Sequence, residues 1–441
     1  MPLAGEGPAD RSSRTGHTSP CAATGSTDLP RPQPVGVFPL PAGYLLIGAG
    51  DGHDEVRRAL VAGHLPDAFP DSLQYYRLAL DGDLDNALAA VEGPLPRASE
   101  PVALANRFVL APNAALLAEL RSIATGDLLT HVETVAFTVG LAPQPPATGR
   151  ADGEIEALVA AAWAVAALER HDRVEAADQL ELAAELAQPV SVPLAGQLLG
   201  QLADVQLGDG GAKRAEVTLQ AAIDALAGTD LRVSLAALHV SAGAMYQERS
   251  EAAPRLMKRA IDHYLAALAL IDADTAPETF AVANANLGLA YLTMPMHEAS
   301  DHVRTGVAVQ SLRGALRVLT PEQHPDRWAS TQLNLANALV YMPSTHQADN
   351  IVEAVQLYED LLGVRDRRRD PEGRARVLAN QGNALAHLGH FDQAKARLHE
   401  ARAIFEELAL DAAVRSVRSV LDEIAKQEAF LRWQADEASA R

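Results

Sequence analysis

The chain has 441 residues, more than a single core ordinarily holds, so length alone predicts two domains or an array of repeats. It is 48% apolar but only 4% aromatic, a mixture that favours helices packed closely through small side chains. A formal charge of −20 argues against a general nucleic-acid binder, whose phosphate contacts need a basic face, and suits a soluble protein with selected partners.

Residues 1–35 are rich in Pro, Gly, Ser and Thr and are predicted to form a disordered tail, since such a segment buries too little surface to offset its ordering entropy. The one cysteine, Cys21, lies there, which excludes a disulfide framework or a thiolate metal site within one chain and fits a reducing cytoplasm. The first twenty residues lack the apolar core of a secretory signal, and no stretch reaches the roughly 18 apolar residues of a membrane span. A cytoplasmic protein with no membrane partner is the expectation.

Residues 36–148 carry short helical patterns and form a predicted helical N-terminal region. In GYLLIGAGDGHDEVRRAL (43–60), glycines at 48, 50 and 52 mimic a phosphate-binding turn. A dinucleotide fold would need further β-α units, so a turn is expected, with Asp51 or Asp54 capping the next helix. DSLQYYRLAL (71–80) and LDNALAAVEG (84–93) flank Asp81-Gly82-Asp83 and predict a helical hairpin. A further helical pair is expected in NAALLAELRSIA and LLTHVETVAFTVGL, and APQPPATGRADG (142–153) has the composition of a linker.

From Glu154 the pattern becomes helix, turn, helix, repeated. NLGLAYLTMP from Asn286 returns as NLANALVYMP from Asn334, marking the first helices of two adjacent repeats. In the last unit the small residues Gly382, Ala394 and Ala401 are separated by 12 and 7 residues, and a seven-residue step keeps one helical face. The step recurs at Ala176/Ala183, Ala215/Ala222, Ala260/Ala267 and Ala308/Ala315, with first-helix partners Ala164, Gly200, Gly243 and Gly288. In the unit anchored at Ala336 the second helix carries Ala354, and Leu361 replaces the second small residue.

These small residues, with NLG and a Tyr three positions after the Gly, resemble the tetratricopeptide repeat (TPR). The resemblance covers roughly 154–408 and implies an all-α, right-handed superhelical solenoid of TPR-like helix pairs, about six of them, behind the smaller helical N-terminal region. The last unit departs from the family in having Leu398 and Glu406 where an aromatic and a Pro are common. Three preceding units are elongated: Gly243 to Ala260, Gly288 to Ala308 and Ala336 to Ala354 span 17, 20 and 18 residues instead of 12, so either helices or turns are enlarged. Residues 409–441 predict one more amphipathic helix, with Val414, Val417, Leu421, Ile424 and Phe430 on a stripe, capping the array.

LGDGGAKRAE (207–216) lacks the Lys-Ser/Thr pair and preceding strand of a nucleotide loop and is expected to be an inter-helix turn. Neither His387, His390 and His399 nor His297 and His302 supply the four-residue step of a helical zinc pair. Arg365, Arg367, Arg368, Arg369, Arg374 and Arg376 make a basic cluster that reads as a solvated loop or as a docking patch for a carboxylate- or phosphate-bearing partner. No nucleophile constellation stands out, so no catalytic, metal or cofactor site is expected.

The resemblance implies that first helices line a concave groove for a protein or peptide partner. Carried over residue by residue, it places Val282, Ala285, Asn286, Leu289 and Thr293 in the groove, then Ser330, Leu333, Asn334, Asn337 and Tyr341, then Arg376, Asn380, Asn383 and His387. Asn side chains donate and accept at once, which suits a peptide backbone or equally the tying together of repeats. The expected function is a non-catalytic scaffold or adaptor, homo-oligomerisation being allowed. The alternatives are an assembly or maturation chaperone for a larger enzyme and a peptide-sensing regulatory protein.

Overall fold

The computed structural model describes residues 29–93, 100–294 and 301–439. Among them every regular element is helical, with nineteen α-helices and no strand. The N-terminal region contains α1 (His53–Val61), α2 (Gln74–Leu80), α3 (Leu84–Val91), α4 (Pro101–Leu110), α5 (Ala114–Ile123) and α6 (Gly126–Thr138). Helix pairs follow: α7 (Gly153–Glu169) with α8 (Arg173–Ala187), α9 (Val192–Gly208) with α10 (Ala212–Leu226), and α11 (Arg232–Arg249) with α12 (Leu256–Leu268). They continue through α13 (Pro277–Thr293) with α14 (Asp301–Leu316), α15 (Pro325–Tyr341) with α16 (Gln347–Val364), and α17 (Pro371–His387) with α18 (Phe391–Glu407). Each pair packs on the next, and α19 (Asp411–Ser439) packs on α18. This is the solenoid of TPR-like helix pairs that the small-residue spacing implies.

Close approach between the two helices of a pair explains that spacing. A Cβ added to Gly243 would come 2.5 Å from the ring of Tyr264, one at Gly288 would come 2.7 Å from Leu312 Cγ, and one at Gly382 would come 2.7 Å from Leu398 Cγ. Tyr264, Leu312 and Leu398 each stand four residues after the first small residue of their own helix, Ala260, Ala308 and Ala394. Those alanines are fully buried, as are Ala176, Ala215 and Ala354. One bulky side chain therefore fits because the facing helix supplies no Cβ there, and the other contacts are kept to methyl groups.

Helix starts are chemically marked. α13, α15 and α17 each begin on a proline, whose missing N–H would be unpaired at a first turn anyway. Asp172, Ser191 and Asp370 accept main-chain amides of the next turn as N-caps of α8, α9 and α17. The elongated units divide their extra residues between turns and helices: the turns 250–255 (α11 to α12) and 342–346 (α15 to α16) exceed 388–390 of the last unit, and α16 reaches Ala354 seven residues after its start where α18 reaches Ala394 after three. At α1 the structure corrects the expected cap. Gly52, at φ +75°, is the N-cap and no side chain caps the helix; Asp54 instead pairs with Arg57.

The expected N-terminal tail lies outside the described residues only through position 28. Its last residues are packed instead, with Gln33 and Val35 fully buried. Arg31 pairs with Asp127 of α6 and Glu154 of α7, and the Glu154 carboxylate also accepts the Gln33 main-chain amide at 2.8 Å. Composition misread this stretch because its anchors are a buried carboxylate and the core of a later helix, both distant in sequence. The Pro/Gly-rich stretch before α7 is likewise pinned. Glu156 accepts the amides of Gly149 and Ala151, and Trp163 Nε1 donates to the Pro146 carbonyl at 2.9 Å. One hydrophobic core runs without interruption from Leu29 through the N-terminal helices into the first repeats.

His131 of α6 sits in that core, its Nε2 2.8 Å from the Tyr44 carbonyl and its Nδ1 buried without a partner among the described residues. Burial pushes its pKa down to about 4, against an ordinary value of 6.5. Between these values the unfolded chain binds a proton that the folded chain refuses, so stability is full above pH 6.5 and is lost as pH falls toward 4. Urea unfolding followed from pH 7 to pH 4 should show this loss, and His131→Gln should reduce the slope by about one proton, roughly 1.4 kcal/mol per pH unit. Gly382→Ala should lower thermal stability by about 1–3 kcal/mol through overpacking against Leu398, despite alanine's better helix propensity.

Candidate peptide-binding groove

Five positions of the first helices share one face, counted from the small anchor residue: six, three and two before it, one and five after it. On α7, anchored at Ala164, they are Leu158, Ala161, Ala162, Val165 and Glu169; on α9, anchored at Gly200, the first four are Leu194, Gln197, Leu198 and Gln201. All nine line a hollow of about 440 Å³. The opposite wall is the chain's own N-terminal segment, Gly36 to Tyr44. Gln197 Nε2 donates to the Val37 carbonyl at 3.1 Å and to Ser234 Oγ at 3.0 Å. Gly36, at φ +77°, lies so close that a Cβ would come 2.6 Å from Leu194 Cδ1 and 2.9 Å from Leu158 Cδ2. The first-helix face at this end of the array thus already holds a helix-poor peptide segment.

The same register positions on α13 and α15 line a second hollow, of about 260 Å³. It gathers the expected residues Val282, Ala285, Asn286, Leu289, Ser330 and Asn334, with Leu319, Thr331, Asp326 and Arg327 beside them. Asn286 is engaged with the Tyr264 hydroxyl, whose pKa burial raises, so the phenol stays protonated and donates to Gln247 Oε1 at 2.8 Å. The half-buried Asn334 amide makes no hydrogen bond among the described residues. Thr293 turns back on its own helix to the Leu289 carbonyl, and Leu333 packs into the C-terminal core.

Farther along, the expected residues separate into two groups. Asn337 Oδ1 accepts both the Tyr358 hydroxyl, at 2.7 Å, and Asn380 Nδ2, at 2.9 Å, so this pair of amides ties α15 to α17. Tyr341, Asn383 and His387 form a second group: Asn383 Nδ2 donates to the Tyr341 hydroxyl at 3.0 Å, and the His387 ring meets Tyr341 edge-on, centroids 6.3 Å apart. Tyr341 is 65% exposed, a large aromatic surface left open on the groove side. Arg376 is exposed and paired with Glu372 one turn earlier.

Other cationic and histidine motifs resolve into local contacts. Arg365 pairs with Asp370, Arg367 with Glu407, and Arg374 donates to the Leu362 and Arg365 carbonyls at the end of α16. Four of the six arginines are thereby committed to the loop's own neighbours, which favours the solvated-loop reading over a docking patch. Among the described residues no three His, Cys, Asp or Glu side chains are gathered to hold a metal ion. His297 and the His302 side chain lie outside the described residues.

Sequence reasoning missed two arrangements. One is the strap from Gly36 to Tyr44, for which the alternating prolines at 30, 32, 34, 39 and 41 were the available signal. The other is a contact between His53, the first residue of α1, and Ser72 in the turn before α2, 19 residues apart with no repeating pattern.

Helix pairs meeting at small residues, with first helices lining one face, define this chain's fold as an all-α solenoid of TPR-like helix pairs. No family model and no curated protein matches it. Among solved structures it is similar to nearly identical TPR-like repeats from Podosopora anserina, 20% identical, over 48% of this chain and 94% of that one, with a TM-score of 0.35. It is also similar to a Rap protein complexed with competence and sporulation factor, at 13% identity over 81% and 97% of the two chains and a TM-score of 0.36. The human IFIT1 dimer with m7Gppp-AAAA matches at 14% identity over 90% and 96%, with a TM-score of 0.34. The repeat type rests on this chain's own helix pairs, not on these likenesses.

Gly36→Ala should cost the strap its seat. Left-handed strain of about 1–2 kcal/mol adds to overpacking of about 1–3 kcal/mol against Leu158 and Leu194. Limited proteolysis is expected to cut the variant faster between residues 36 and 44, with a lowered melting temperature.

Proposed function

We propose that this chain is a protein-binding scaffold whose first-helix face, from α13 to α17, holds a segment of a partner protein. The observation that carries this reading is the strap. At α7 and α9 the same register positions hold a peptide by apolar contact from Leu158 and Leu194 and by a side-chain amide, Gln197, on a main-chain carbonyl. On α13 and α15 the equivalent face holds no segment among the described residues, with Val282 and Leu289 beside Leu319 as its apolar floor and the Asn334 amide as a polar group without a bond among those residues.

Such a site takes an apolar side chain into the hollow while Asn334 bonds the peptide backbone, which can offer it either a carbonyl or an N–H. Beyond it, the open Tyr341 ring and the Asn383–His387 edge suit a more polar stretch of the same segment. Arg376 can exchange Glu372 for a partner carboxylate, because an exposed i,i+4 pair contributes only ~0.3–0.5 kcal/mol. The groove binds and positions; it performs no chemistry itself.

Peptides selected from a random display library on the full chain provide the probe. Selected peptides should carry an apolar anchor and crosslink to a photoreactive group at position 289. Leu289→Glu should weaken them by tenfold or more, about 1.4 kcal/mol, and Asn334→Ala by about threefold to tenfold, with melting temperature unchanged. Peptides that bind equally well to both folded variants would contradict the reading.

A further inference from the structure

A third hollow, of about 510 Å³, lies in the N-terminal region and is built from elements other than α13, α15 and α17. Its wall includes the glycine run Gly48-Ala49-Gly50, His53 at the start of α1, and Ser72 just before α2. His53 Nε2 stands 2.6 Å from Ser72 Oγ, and His53 Nδ1 stands 2.9 Å from the Gly48 carbonyl. A carbonyl only accepts, so Nδ1 of the neutral ring carries the proton and Nε2 presents its lone pair to the serine hydroxyl. This is the arrangement that activates an alcohol nucleophile: a hydroxyl, a base within hydrogen-bond reach, and a third group fixing the base's tautomer and orientation.

The surroundings hold that geometry. A Cβ at Gly50 would come 2.5 Å from His53 Cε1, so the ring rests directly on main chain that only glycine leaves uncovered. The preceding loop is anchored from two sides, since Asn106 bonds both the amide and the carbonyl of Leu46 and the Tyr75 hydroxyl donates to the same carbonyl. The amides of Gly48, Ala49 and Gly50 donate to no group among the described residues, leaving main-chain N–H groups beside the dyad for a developing oxyanion.

We infer that Ser72 and His53 form an acyl-transfer dyad that cleaves a carboxylic ester bound in this hollow. The exposed carboxylates Asp51 and Asp71 on its rim select an uncharged or cationic ester over an anionic one. Ser72 Oγ attacks the ester carbonyl while its proton passes to His53 Nε2, giving a tetrahedral oxyanion. Collapse breaks the bond to the alkoxy oxygen, which leaves as the alcohol with the proton from His53. Water, deprotonated by His53, then attacks acyl-Ser72; the carboxylic acid departs and the proton returns to Ser72. The only co-reactant is water.

The test uses the full chain with a fluorophosphonate probe and p-nitrophenyl acetate. Peptide mass spectrometry of the labelled wild type should place the phosphonyl adduct on Ser72, a readout that needs no variant. Ser72→Ala should abolish labelling, and His53→Gln should slow both labelling and p-nitrophenolate release by about a hundredfold or more, the range of general-base contributions. Gly50→Ala, which displaces the ring without removing it, should keep the adduct on Ser72 but slow its formation. A wild-type chain with no adduct on Ser72 would overturn the inference. So would a folded His53→Gln chain, checked by circular dichroism, that labels at the wild-type rate. In either case the His53–Ser72 hydrogen bond serves only to fasten α1 to the turn before α2.

Discussion

The whole architecture hangs on the closest approach of two helices within a pair. At that point one helix gives up its Cβ, at Gly243, Gly288 or Gly382, and the other fills the space with a ring or a leucine four residues past a buried alanine. Dispersion contacts of this kind are individually small and collectively decisive, and they fail steeply with distance. Because each pair is fixed this way, the next pair must stack at a defined angle, and the first helices fall on one continuous face. The groove is therefore a by-product of packing, and its lining mixes half-buried positions such as Asn334 with core leucines such as Leu158 and Leu194.

That separation explains what sequence could reveal. Buried small residues recur because the close contact admits little else, so the register of α7 to α18 is readable from the small anchors of each pair, such as Gly200 and Ala215, Gly288 and Ala308, Ala336 and Ala354, and Gly382 and Ala394. The same register predicts which residues share the concave face, and the structure brings Val282, Asn286, Leu289, Ser330 and Asn334 around one hollow. It does not predict what each polar residue bonds to. Asn337 and Asn380 meet each other and Tyr358, whereas Asn334 bonds nothing among the described residues, and the difference lies in the neighbouring repeat's side chains rather than in local pattern.

The N-terminal region was the less legible part for a related reason. Its anchors are long-range and singular: Arg31 on Glu154, Ser191 Oγ on the Val61 carbonyl, and the Asp230 amide on the Gly63 carbonyl. A proline-rich stretch reads as burying too little to order itself, and a ready-made surface on α7 and α9 supplies that burial. Prolines also leave the free segment fewer conformations to lose, lowering the entropic cost of docking. One end of the array is thus filled from within, and the open face begins farther along the solenoid, where the apolar floor of α13 and α15 gives way to the amides and rings of α15 and α17.

The most direct test of the account is a crystal structure of the full chain with a bound peptide ligand. The account predicts density for a helix-poor segment along α13, α15 and α17, an apolar side chain between Val282 and Leu289, and the Asn334 amide bonded to peptide backbone. A ligand seated on the outer helices α14 and α16, with the α13–α15 hollow empty, would contradict it.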